Sequence, residues 1–117
     1  MKDYKHLFIW KKGLEIVKQS YVVANDLPVS EKFNLVSQMT RAAVSIPSNI
    51  AEGSSRHSEK DYNRFLEIAL GSCFELETQA LILKELNIGV NSSIDILLKL
   101  IEEEMMMLHG FMRKLDT

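Results

Sequence analysis

Apolar residues in this chain return every three or four positions over four successive stretches, a spacing that favours helices packed on one another. The first stretch places Leu7, Trp10, Leu14, Val17, Tyr21 and Ala24 at intervals of 3, 4, 3, 4 and 3, one face of a helix. Asn25, Asp26 and Pro28 end it, because proline drives the residue before it out of the helical region. Ser30 is the expected N-cap of a second helix, with Glu31 well placed for the helix dipole. That helix carries Leu35, Met39, Ala42, Ile46 and Ile50 as its stripe, and Pro47 inside it predicts a kink or an early stop. Gly53 and the polar run 54–58 mark a stop and a loop. Ser58 then caps a third helix, with Asp61 three residues later as a variant of the capping box. The third stripe is Tyr62, Leu66, Ala69, Cys73, Leu76, Ala80 and Leu83, closed by Asn87 and Gly89. Asn91-Ser92-Ser93 opens the last helix, with Ile94, Leu97, Ile101, Met105, Leu108, Met112 and Leu115 on one face.

Four such stripes joined by short polar loops predict an all-α, antiparallel up-down four-helix bundle forming one domain over residues 1–117. The length suits one domain, and 46% apolar with 26% charged residues excludes wholesale disorder. A net charge of −2 argues against a generic basic nucleic-acid coat while leaving room for a local basic patch. The lone Cys73 has no intramolecular disulfide partner, which fits a reducing compartment. With no run of 18 apolar residues and no signal-peptide pattern, the expectation is a cytoplasmic protein without a membrane partner.

The helices carry more apolar surface than a monomeric bundle requires. Ile9, Ile16 and Val23 cluster away from the Leu7–Ala24 stripe, and Ile96, Leu100 and Met107 form a second group on the last helix. From Phe33 to Ala51 the only charged residue is Arg41. The non-apolar face there, Asn34, Ser37, Gln38, Arg41, Ser45, Ser48 and Glu52, is mostly small and neutral, unlike a solvated face studded with Lys and Glu. Such residues either pack under loops or build an interface between copies. The second reading, a homo-oligomer, is the one favoured here.

Catalytic chemistry has no visible constellation. A di-iron bundle needs inward carboxylates and two Glu-x-x-His motifs, and none of His6, His57 and His109 has Glu three residues before it. The run Glu102-Glu103-Glu104 points around its helix, so it reads as a solvated face. Cys73 lies in a core stripe, where a small buried hydrophobe is expected in place of a nucleophile. No phosphate-binding glycine loop and no nucleophile elbow is present, so no catalytic residue, metal ligand or cofactor is assigned. Residues 1–58 hold eight basic and five acidic side chains, a balance of +3; residues 59–117 hold six and eleven, a balance of −5. Lys11 and Lys12 at one point, and Arg56, His57, Lys60 and Arg64 at another, are the candidates for phosphate contact. Trp10 and Tyr62 lie near them but belong to core stripes, which argues against base stacking.

The segment from Gln38 to Gly53, with Arg41-Ala-Ala-Val-Ser45-Ile-Pro47-Ser-Asn49-Ile-Ala-Glu52-Gly53 at its centre, resembles the signature of the bacterial 23S rRNA intervening-sequence proteins. The similarity extends through Tyr4, Leu7 and Trp10, Leu27-Pro28 and Glu31, and on to Phe65-Leu66-Glu67-Ile68-Ala69, Gly71-Ser72 and Glu75-Leu76, nearly residues 4–89. The fourth helix matches in period only, and Phe33-Asn34 stands where the family usually has Tyr-Gly. The resemblance implies an up-down bundle assembled as a ring-like homopentamer, with no known enzymatic activity and an unsettled role. It also implies a distant likeness to the accessory proteins of diversity-generating retroelements, which bind nucleic acid through a basic surface.

Within the signature, Arg41, Ser45, Ser48 and Glu52 fall within about 60° of one another on an ideal helix. Pro47 frees the residue 43 carbonyl, and nearby Ser or Asn side chains are candidates to satisfy it. Arg41 is expected to pair with Glu75 or Glu52 in a partly buried polar network with Ser45, Ser48 and Asn49, at the kink or at a subunit contact. The leading expectation is therefore a non-enzymatic, oligomeric interaction protein. The alternative is an RNA- or DNA-binding accessory protein whose weak basic patches act together around the oligomer.

Overall fold

The computed structural model describes residues 3–115 and contains four long helices: α1 (Phe8–Asn25), α2 (Ser37–Ser54), α3 (Glu59–Leu86) and α4 (Asn91–Leu115). No strand occurs among the described residues. Pairs of touching residues fix the directions. Gly13 lies against Pro47, Gly53 against Tyr62 and Phe65, Tyr62 against Phe111, and Lys12 against Glu103. Together with Ser45 on Ser72, Lys84 on Asp95 and Gln19 on Ser93, every neighbouring pair runs antiparallel, an up-down four-helix bundle. The 28 residues of α3 span about 42 Å at the usual helical rise, close to the 44 Å long axis of the molecule.

Local chemistry sets the helix ends. The Ser58 hydroxyl accepts from the Asp61 amide at 3.1 Å, the expected N-cap of α3. Asn87 ends α3 in the left-handed region at φ 56°, and the Ile88 amide donates back to the Leu83 carbonyl. The entry to α2 differs from expectation: Ser30 caps nothing. A 3₁₀ turn over Val29–Glu31 follows Pro28, one π turn covers Lys32–Val36, and regular α-helix starts at Ser37. The Glu31 amide already donates to the Pro28 carbonyl, so a backbone bond stands where the serine cap was expected. Pro47 does not stop α2, which runs on to Ser54.

The core draws on all four helices. The stripes expected for α2 and α3 are buried, apart from half-buried Leu35. In α1 the expected row is only partly inward: Ala24 is buried and Leu7, Trp10 and Val17 pack at the core edge. Ile9, Ile16 and Val23 form the core, whereas Leu14 and Tyr21 are 40% and 49% exposed. The reason is bulk: Gly13 and Ser20 share the Ile9–Val23 face and let α1 approach α2 closely. A Cβ on Gly13 would lie 3.1 Å from Pro47 Cβ, so a row built from Trp10, Leu14, Val17 and Tyr21 does not fit that gap. The apolar excess of α1 therefore lies on the opposite row from the one expected.

Candidate functional site

The outer side of α2 is the surface on which the signature residues meet. Ser45 and Ser72 hydroxyls lie 2.8 Å apart across the α2–α3 seam, and Asn49 Nδ2 donates to both the Ser45 carbonyl (2.8 Å) and the Ser45 hydroxyl (2.9 Å). This half-buried trio is neutral throughout. Arg41 is exposed and takes part in no ion pair or hydrogen bond among the described residues, so the expected pairing with Glu75 or Glu52 does not form within the chain. Glu52 instead accepts from Arg56 one turn on, at 3.0 Å, and Glu75 accepts from the Gln79 amide at 3.3 Å. Ser48 is exposed and outside the trio. Glu52 and Glu75 are engaged elsewhere, by Arg56 and Gln79, while Ser45 and Asn49 are drawn into the seam with Ser72. Arg41 and Glu75 nevertheless line one groove of about 370 Å³ with Gln38, Ala42, Ser45 and Ser72. On the other side of α2, Arg41 joins Tyr21, Thr40, Val44 and Ser45 in a shallow groove against α1. Sequence reading did not single out Ser72 as part of the trio; its signal was the row Phe65, Ser72, Gln79 beside the α3 core stripe, seven residues apart.

The basic candidates share the end of the bundle where α1 and α3 begin and α2 finishes. Most are already engaged. Lys12 donates to Glu103 at 3.1 Å and lies 3.9 Å from Glu15, and its pKa is raised, first by the Glu103 hydrogen bond. Arg56 and Arg64 pair with Glu52 and Asp61, and their guanidinium groups lie 4.4 and 5.0 Å from the centre of the Phe65 ring. Lys11 and Lys60 are exposed and outside the ion pairs among the described residues; Lys11 Nζ sits over the Phe8 ring. Tyr62 is buried against Phe111, and Trp10 is half-buried edge-on to Tyr4.

Two interior groups complete the inventory. Cys73 is buried, and its thiol is pushed up to about 12 by desolvation, with Glu104 and Glu77 adding to the effect. It is a core filler held protonated. The glutamate run is not one solvated face: Glu102 is exposed, Glu103 holds Lys12, and Glu104 is wholly buried. The signal was present in the spacing Leu97, Ile101, Glu104, Leu108, which places Glu104 on the inward row beside Met105. Among the described residues no three His, Cys, Asp or Glu side chains converge as a metal site, and no helix is long and apolar enough to cross a membrane.

The family described as 23S rRNA-intervening sequence protein matches residues 5–110, which takes in all of α1, α2 and α3 and most of α4. The chain belongs to this family. No curated protein matches it. A crystal structure of a Bacteroides thetaiotaomicron protein, described as having unknown function and as coming from the S23 ribosomal protein family, superposes with a TM-score of 0.81. The two sequences are 24% identical, and the match covers 89% of this chain and 97% of that one, so the likeness is one of fold. For this member of the intervening-sequence family, the match to α4 adds to the sequence resemblance, which reached that helix through period alone.

Proposed function

We propose that this intervening-sequence family protein is a non-enzymatic scaffold that self-associates through the outer face of α1 and α2. The carrying observation is a partly apolar face, flanked by the exposed Arg41 and Lys18, with no cover among the described residues. Tyr21 (49% exposed) and Val44 (42% exposed) line one groove, and Leu14 stands two turns before Tyr21 on the same side of α1. Arg41 is the one charged side chain in that groove, and it has no partner of its own among the described residues. An apolar centre with an arginine at its edge is the composition of an interface core. A face of this kind on one side of a bundle, meeting a different face of the next copy, gives a ring when the rotation between copies closes, and the family resemblance favours five copies. Trp10, the sole tryptophan, stands one turn before Leu14 and reports on the face directly. Diluting the intact protein from micromolar to nanomolar concentration should shift Trp10 emission to the red as the face is exposed. Emission independent of concentration, together with a monomeric mass, would contradict the reading.

The second reading, RNA or DNA binding, draws on the shared end of the bundle at which Lys11, Arg56, Lys60 and Arg64 stand. A ring would repeat Lys11 and Lys60 around one rim, adding weak contacts by avidity. Fluorescence anisotropy against a structured RNA and an unrelated duplex from 50 to 300 mM salt tests it. Binding that falls steeply with salt supports this reading, and no binding at 50 mM ends it.

A further inference from the structure

Among the described residues, one carboxyl group lies entirely inside the bundle without a hydrogen-bond partner. Glu104 is 0% exposed, and neither carboxyl oxygen has a hydrogen-bond partner among the described residues. The groups around it make ionisation there unfavourable. From α1 come Lys12 and Glu15, but Lys12 is committed to Glu103, the preceding residue of α4. From α3 come Cys73, itself held as the neutral thiol, and Glu77, whose charge bears on that thiol. From α2 comes none: its charged residues, Arg41 and Glu52, are both exposed, and Glu52 is paired with Arg56. A carboxylate at Glu104 would therefore be a desolvated charge with its nearest cation already taken.

We propose that Glu104 is a proton-operated latch on α4. As the neutral acid it lets α4 close on α1 and α3, and as the carboxylate it drives α4 to open towards water around Cys73. Burial pushes its pKa up to about 8, with Lys12 opposing and Glu15 reinforcing the shift, so the latch works near neutral pH. In the open state the side chain returns to the ordinary carboxylate range. Between that range and about pH 8 the closed form holds one more proton than the open form, so each rise of one pH unit favours opening about tenfold. Above about pH 8 both forms are ionised and the dependence levels off. A natural route of relief is Lys12: residues 103 and 104 are neighbours about 100° apart on the helix, so a rotation of α4 exchanges one glutamate for the other on the same lysine.

Cys73 serves as the built-in reporter. The test is the rate of Cys73 alkylation by a maleimide from pH 6 to 9, each rate divided by that of a free cysteine at the same pH. The expected result is a corrected rate that rises about tenfold per pH unit up to about pH 8 and then flattens in the native protein. It stays flat across the range in Glu104→Gln and in Glu104→Met, which retain much of the volume without the ionisable group. A flat native profile, or the same rise in the variants, would overturn the proposal. So would failure of both variants to fold, since a side chain that is neutral in the closed bundle should tolerate neutral replacements.

Discussion

The two sides of this bundle are joined by different chemistry. Where α2 meets α1 and α3, small residues bring the backbones together: Gly13 against Pro47, and Gly53 against Phe65 and Tyr62. On the α3 side of that seam Ser45, Asn49 and Ser72 are neutral and bonded to one another, and on the α1 side the buried Ser20 is neutral too, its hydroxyl unpartnered among the described residues. Where α4 meets α1 and α3, the cross-links are charged, Lys12 with Glu103 and Lys84 with Asp95, and the interior holds an unpaired carboxyl group at Glu104. Hydroxyls and amides hydrogen-bond alike at every ordinary pH, whereas a carboxyl in a core binds a proton as the condition of staying there. The α2 side is thus held by groups indifferent to pH, whereas the α4 side encloses one that is not.

That contrast can be broken from both directions. The largest effect is expected at Glu104. Because its pKa in the folded chain stands at about 8, above its unfolded value, its stabilisation is complete in acid and is lost as pH rises. Urea unfolding of the native protein should show the folding equilibrium falling about tenfold per pH unit between about pH 5 and 8. Glu104→Gln should remove that slope and be the more stable protein at pH 8. Next, Gly53→Val should cost about 3 kcal/mol at any pH, since even a Cβ there would sit 2.9 Å from Phe65 Cβ and Tyr62 Cδ1. Ser72→Ala should cost about 1 kcal/mol by removing one partner of Ser45, again without pH dependence. Smallest is Gly71→Ala, where nothing lies within 4 Å of the new methyl group: a gain of about 0.5 kcal/mol in thermal or urea unfolding, from reduced freedom of the unfolded chain. A pH slope in the Ser72 variant distinct from that of the native protein would blur the contrast.

Helical spacing made much of this architecture legible. Each residue of the α3 stripe is buried as its period suggests, because α3 has one uninterrupted apolar row and clear caps at Ser58 and Asn87. In α1 two apolar rows have the same period, and spacing does not choose between them; Gly13 and Ser20, which mark the row that fits against α2, carry the deciding information. Ser30 failed as a cap because a 3₁₀ turn had already satisfied the local backbone. Arg41 was legible as unusual and not as unpaired, since spacing does not show that Arg56 and Gln79 take the two glutamates near it. Glu104 was hidden by its neighbours: three consecutive glutamates read as solvated, although their helical positions differ by about 100° each.

On the proposed reading, another copy of the chain covers Leu14, Tyr21 and Val44. Light scattering of the purified protein at neutral pH, beside a Tyr21→Glu, Val44→Glu double variant, tests it most directly. The native protein should show a mass several times that of the 13.4 kDa chain, and the variant should be a folded monomer. A native protein that is monomeric at tens of micromolar, or a variant that keeps the native assembly, would contradict it.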